Sequence, residues 1–122
     1  MEQEKQKISR ISIAIPVYNE EDIISQTIKI LRDFCEKNLQ NYDWKIIIAD
    51  NNSTDRTVEL AKKLENESNG KIIYKFIPQK GKGLAIRESW KSFDADFYVF
   101  MDADLATDLS TLPILVKELE NG

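Results

Sequence analysis

Histidine is missing from the 122-residue chain, and cysteine occurs once, at Cys35. The first absence removes Ser-His and Cys-His nucleophile pairs and every imidazole-metal site from the available chemistry. The second leaves no partner for an internal disulfide and points to a reducing compartment. Basic residues are in the minority, 17 Lys and Arg against 21 Asp and Glu, for a net charge of −4. A surface of that sign disfavours non-specific binding to nucleic acid or an anionic membrane. Long apolar runs are lacking too: the longest, Phe97 to Met101, falls far short of the ~20 residues that span a bilayer. Neither nucleotide-loop fingerprint is present, because PQKGKGLAIR fits neither G-x-x-x-x-G-K-[ST] nor G-x-G-x-x-G. What is there, 42% hydrophobic and 31% charged, suits one soluble globular domain. MEQEKQK (residues 1–7) has no signal-peptide core and reads as a disordered tail ahead of a domain over 8–122.

Apolar segments alternate in type along the chain. ISIAIPV (Ile11–Val17) is β-branched and reads as a buried strand. In the following EEDIISQTIKILRDFCEKN, Ile24, Ile28, Leu31 and Cys35 mark one helix face, with acids in the first turn where the dipole favours them. Cys35 on that face reads as packing. WKIIIA (Trp44–Ala49) is a second strand, and Ser53 or Thr54 can cap a helix striped by Val58, Ala61 and Leu64. Asn69-Gly70 turns into KIIYKFIP, a third strand. Gly81 and Gly83 open a helix carrying Ile86, Trp90 and Phe93, before a fourth strand, DFYVFM. A last helix is expected over about Ser110–Glu120, with Pro113 in its first turn. Strand-helix alternation predicts an α/β, Rossmann-like three-layer sandwich with a parallel sheet in the order 3-2-1-4. Ligands of such sheets bind past the strand C-termini where the order reverses, here between strands 1 and 4.

The loops at that edge are polar. In FMDADLATD, Asp102 and Asp104 follow a hydrophobic strand, with Asp108 close behind. Crowded carboxylates raise one another's pKa unless a cation relieves them. If the chain stays extended, Asp102 and Asp104 point the same way and Ala103 turns inward. Two hard oxygen ligands suit Mg²⁺ or Mn²⁺, which share phosphate oxygens with a substrate. On this pair alone, a metal site and a solvated turn both stay open. In DNNSTD, Asp50 and Asn51 can hydrogen-bond a base or ribose, while Ser53 to Asp55 read as turn and capping residues. Lys80, Lys82 and Arg87 place positive charge near a helix start, which suits an anionic ligand, though a basic surface loop is an equal alternative.

Taken in order and spacing, IPVYNEE, ADNNSTDRT, PQKGKGLAIRESW and FMDADLATDLSTL resemble the family 2 inverting glycosyltransferases, in particular the polyprenyl-phosphate sugar synthases such as dolichyl-phosphate mannose or glucose synthase. The resemblance covers nearly all of 8–120. It implies a GT-A fold, a UDP- or GDP-sugar donor and a divalent metal at a D-x-D motif. By position, Pro16, Tyr18, Asn19 and Glu20 look like the nucleotide-contacting segment, and Asp50 and Asn51 match the acidic pair that reads base and ribose. Asp102 and Asp104 match the D-x-D carboxylates that hold the metal, Asp104 being the better candidate for direct contact.

Two positions depart from the family pattern. Asn51 stands where many members carry a second Asp, and Ala106 where some mannose synthases carry Gln. Family members also continue for roughly another hundred residues, which would bring an acceptor site and the general base that inversion uses. The resemblance therefore implies a donor-binding half, inactive in isolation. Its full-length protein would act at the cytoplasmic membrane face on a polyprenyl phosphate acceptor. A strand 4 left at the sheet edge, uncovered by later strands, is expected to self-associate at high concentration or to be covered by the C-terminal helix. The rival is a non-catalytic nucleotide-binding or dimerising module. A receiver-type signalling domain fits less well, since its acids and lysine belong after other strands.

Overall fold

The computed structural model describes residues 8–104, 113–114 and 117–118. Four strands, β1 (Arg10–Val17), β2 (Asp43–Asp50), β3 (Ile72–Phe76) and β4 (Phe97–Phe100), form one parallel sheet in the order β3-β2-β1-β4. Three helices make the crossovers: α1 (Ile24–Asn38), α2 (Thr57–Asn66) and α3 (Lys82–Trp90). The expected order therefore holds. Pro113, Ile114, Lys117 and Glu118 are helical, while the rest of the expected last helix, Asp108 and the 1–7 tail lie outside the described residues. Among the described residues, no helix is long and apolar enough to cross a membrane.

Alternation along each strand decides which helix covers which face. Ile11, Ile13, Ile15 and Val17 of β1 join Trp44, Ile46 and Ile48 of β2 in one cluster with Ile24, Ile28, Leu31 and Cys35 of α1 and Ala61 and Leu64 of α2. The opposite face carries Ala49, which packs with Ile77 and with Ala85 of α3. With helices on both faces, β1 and β2 read as near-continuous apolar runs, as a doubly covered parallel sheet requires. Each fully buried Ile contributes about 1.5–3 kcal/mol, so the central strands anchor everything built on their ends.

Where β1 and β4 part is set by a proline. Ala14 accepts a hydrogen bond from the Met101 N–H (2.9 Å), so Ala14 and, two residues on, Pro16 turn their backbone groups toward β4. Pairing with β4 ends at the Ala14–Phe100 register, whereas pairing with β2 runs on to Val17–Asp50. Pro16 has no N–H with which to extend that ladder, and among the described residues the pairing does not continue past Phe100. The gap at the switch point follows.

Three local expectations differ from what forms. The acids Glu20, Glu21 and Asp22 precede α1 rather than occupy its first turn, because the Ile23 and Ile24 N–H groups fold back onto the Glu20 carbonyl (3.1 and 2.9 Å). Ser53 and Thr54 do not cap α2, since both are drawn to Asn19. Asp55 instead accepts from the Thr57 N–H (2.9 Å). Phe93 falls past the end of α3, where Lys91 and Ser92 tighten the chain by bonding Glu88 and Ser89. The Phe93 ring packs beneath the Arg10 guanidinium at 4.9 Å and the Lys45 ammonium at 5.2 Å.

Candidate active site

The loops after β1 and β2 are zipped together before any ligand is considered. The Asn19 N–H donates to Ser53 Oγ (2.9 Å), and the Thr54 N–H donates to Asn19 Oδ1 (2.7 Å). Asn19 takes a left-handed φ of 52°, which its short amide tolerates. Glu20 N–H reaches Thr57 Oγ1 (2.8 Å), and Arg56 N–H reaches Glu21 Oε1 (2.9 Å). Asp55 completes the seam by accepting from the Glu21 N–H (3.3 Å). Desolvation pushes the Asp55 carboxyl up, but hydrogen bonds from Thr57 and the Glu21 backbone outweigh it and hold it below the usual range.

Asp50 and Asn51 are neighbours with opposite fates. Asp50 is fully buried on the α2 side of the sheet. Its Oδ1 accepts from the Ser53 N–H (3.0 Å) and its Oδ2 from the Tyr74 hydroxyl (2.6 Å). Burial, and then the Asp50 carboxylate, raise the Tyr74 pKa, so that hydroxyl stays a donor. Asn51 turns to the α3 side. Its Nδ2 donates to the carbonyls of Ile77 (3.4 Å) and Gln79, and its Oδ1 accepts from the Gly81 N–H (2.9 Å).

A cleft of about 360 Å³ opens at the switch point. Pro16, Tyr18 and Glu20 form one wall, Asn51 and Ala85 another, and Asp102, Ala103 and Asp104 the third. A second recess of about 260 Å³ shares Tyr18 and Asn51 and adds Lys80. Asp102 and Asp104 are exposed while Ala103 between them is buried, but the chain does not stay extended as expected: it leaves β4 after Phe100 and turns at Ala103–Asp104. Glu20 is pushed above the usual carboxylate range, first by burial and then by the negative charge of Asp104 and Asp55. The smaller, like-charge part of that shift reflects negative potential at the acidic end of the cleft. Among the described residues, no three carboxylate or thiol side chains stand close enough to cage an ion by themselves. Asp102 and Asp104 instead suit an ion that draws its remaining ligands from water and a phosphate, the habit of Mg²⁺.

Of the residues singled out from sequence, Pro16, Tyr18, Glu20, Asn51, Asp102 and Asp104 meet on the main cleft and Lys80 on the adjoining recess. Asn19 serves the loop seam, and Asp50 is enclosed. Lys82 is the first residue of α3, and Arg87, exposed further along that helix, lines neither cavity. Sequence reasoning missed Thr27. From the buried face of α1 its hydroxyl donates to the Ala103 carbonyl (2.7 Å), fixing the backbone between the two acids. A threonine beside Ile28 on an otherwise apolar stripe was the available signal.

Known proteins match this arrangement. The sequence model of "Glycosyl transferase family 2" matches residues 12–122. A dolichol-phosphate mannosyltransferase of Pyrococcus furiosus is 30% identical over 113 residues, 93% of this chain but 31% of the relative. Protein RfbJ of Shigella flexneri is 35% identical, across 89% of this chain and 75% of that protein. Among solved structures, a mannosyltransferase of Pyrobaculum calidifontis in complex with GDP-Man and Mn²⁺ superposes with a TM-score of 0.75 at 20% identity, covering 91% of this chain and 32% of that one. TarS of S. aureus (residues 1–349) in complex with UDP gives a TM-score of 0.65 at 22% identity, covering 89% and 32%. At such identities the superpositions speak to the fold alone, which is that of the GT-A transferases. With the family sequence model matching nearly its whole length, this chain belongs to glycosyl transferase family 2.

Proposed function

We propose that this chain is the donor-binding part of an inverting sugar transferase that takes a UDP- or GDP-sugar, with Mg²⁺ or Mn²⁺ held by Asp102 and Asp104. The observation that carries the reading is the two-part cleft, acidic at Glu20, Asp102 and Asp104 and continuing into a recess with Tyr18, Asn51 and Lys80. Tyr18, half exposed, offers an aromatic face to a base, and Lys80 offers positive charge to an anion. A divalent ion at the acids supplies charge neutralisation of the departing diphosphate. The chain's own residues orient the donor: the Thr27–Ala103 bond holds the acidic segment, and the Asn19–Ser53–Thr54 seam holds the opposite wall. The acceptor we propose is a polyprenyl phosphate, a reading supported by the names of the dolichol- and undecaprenyl-phosphate transferases among the relatives, and we place the transfer at the cytoplasmic membrane face. Calorimetry with UDP and GDP, with and without Mn²⁺, tests the proposal. Absence of binding by either nucleotide overturns the donor assignment. Binding indifferent to metal or to Asp104→Ala overturns the metal assignment.

A second proposal concerns β4, the last strand in the order β3-β2-β1-β4: copies of this chain associate through it at high concentration, or the C-terminal helix covers it, outcomes that sedimentation over a concentration series separates.

A further inference from the structure

The Asn51 carboxamide uses both its donor and acceptor ends on one loop. Its nitrogen donates to the Ile77 and Gln79 carbonyls, and its oxygen accepts from the Gly81 N–H. That loop links β3 to α3 and carries Lys80, which lines the smaller recess. Gly81 sits at a φ of +131°, where a side chain would strain the backbone, and it is the residue from which α3 starts. Its carbonyl accepts from the Ala85 N–H (3.0 Å), and Ala85 lines the main cleft. The Asn51 backbone is itself fixed to the sheet, donating to the Val17 carbonyl (2.9 Å).

We infer that Asn51 is a positioning residue whose side chain latches the Ile77–Gly81 loop to the end of β2, and so sets where Lys80 and the start of α3 stand on the cleft. The consequence for donor binding rests on the function proposed above; the latch itself does not. Polarity makes the amide specific. A carboxylate of the same shape would present acceptors to two carbonyl oxygens that need donors, and an alanine would present nothing. A protonated carboxyl would restore one donor. The groups around it also titrate or carry charge: Lys80 on the loop, Glu20, Asp102 and Asp104 across the cleft, and buried Asp50 one residue earlier. Wild-type protein measured at each pH is therefore the reference.

Amide exchange of the whole chain, followed at Gly81 by NMR, tests the latch. In the wild type the Gly81 N–H is protected, and the Asn51 Nδ2 protons exchange slowly with solvent. Asn51→Ala lowers Gly81 protection about tenfold, the scale of a lost hydrogen bond. Asn51→Asp keeps an acceptor for the Gly81 N–H but loses the donors to Ile77 and Gln79, so the Lys80 amide signal departs from wild type at neutral pH and returns part of the way as the carboxyl protonates. UDP·Mn²⁺ or GDP·Mn²⁺ affinity falls in parallel with protection. Unprotected Gly81 in the wild type, or a folded Asn51→Ala variant that keeps full Gly81 protection, would each overturn the latch. The wild-type signals decide the matter even where a variant does not fold. If wild-type protein binds neither nucleotide while Gly81 is protected, the donor assignment fails and the latch stands.

Discussion

Replacing Thr27 with valine removes one buried oxygen while keeping the side chain's shape. Thr27 is 6% exposed, and its hydroxyl lies 2.7 Å from the Ala103 carbonyl, itself part of a residue only 5% exposed. Valine leaves that carbonyl without its donor, at a cost of about 1–3 kcal/mol. Thr27→Ser keeps the donor and loses a methyl, roughly 0.8 kcal/mol by transfer alone. The two costs are close enough that stability by itself does not separate the mechanisms; the acids on either side of Ala103 do. With the hydroxyl gone, the backbone that aims Asp102 and Asp104 is no longer tied to α1. Mn²⁺-dependent nucleotide affinity should fall several-fold in Thr27→Val and stay near wild type in Thr27→Ser. Urea denaturation reads the first quantity and calorimetry the second. A Thr27→Val protein within ~0.5 kcal/mol of wild type, with unchanged nucleotide binding, would refute the idea that this bond positions the acidic segment.

Other outcomes follow from the same geometry. Because the folded-state pKa of Glu20 is raised, the folded chain holds a proton the unfolded chain has lost, and stability falls as pH rises from 4.5 through the raised value. Glu20→Gln should match wild type below that window and exceed it above, as pH-series denaturation will show. The Asp55 carboxyl runs the other way: held low by Thr57 and Glu21 against desolvation, it contributes stability above its unfolded pKa that is lost as pH falls through the depressed one. Asp55→Asn should then cost stability at neutral pH and little in strong acid. Tyr74→Phe removes the donor from a fully buried carboxylate and should destabilise by about 1–3 kcal/mol or more, measurable by urea titration. Cys35, pushed up to about 12 by burial, should resist thiol reagents in the native chain and react only once it unfolds.

The fold was largely legible because its signals are cumulative. Three isoleucines in a row at Ile46–Ile48, or the stripe of Ile24, Ile28, Leu31 and Cys35, each bury the side chains their period implies. Strand order followed from connection rules rather than from any residue. What periodicity did not reveal were the ends of elements, where single hydrogen bonds decide. Glu20 accepts two N–H groups and holds the acids outside α1, and Asn19 takes Ser53 and Thr54 away from the α2 cap. The Asn19 contacts join residues more than thirty positions apart, and no local pattern contains them.

The site shows the same limit more sharply at Asp50 and Asn51. Both stood together in the sequence as polar residues at a strand end, facing one ligand. A strand sends consecutive side chains to opposite faces, so a pair of adjacent residues in β conformation cannot both look into a cleft that lies on one side of the sheet. Asp50 shares its face with Ile46 and Ile48 and meets Tyr74 and the start of the α2 loop. Asn51 shares the other with Ala49 and meets the loop before α3. Asp102 and Asp104 escape the conflict because they lie past the end of β4, where the chain turns with Ala103 buried and its carbonyl held by Thr27, leaving both acids exposed on the cleft. Any ligand in this cleft therefore meets Asn51 and the two spaced acids directly, and feels Asp50 only through the walls that Ser53 and Tyr74 build around it.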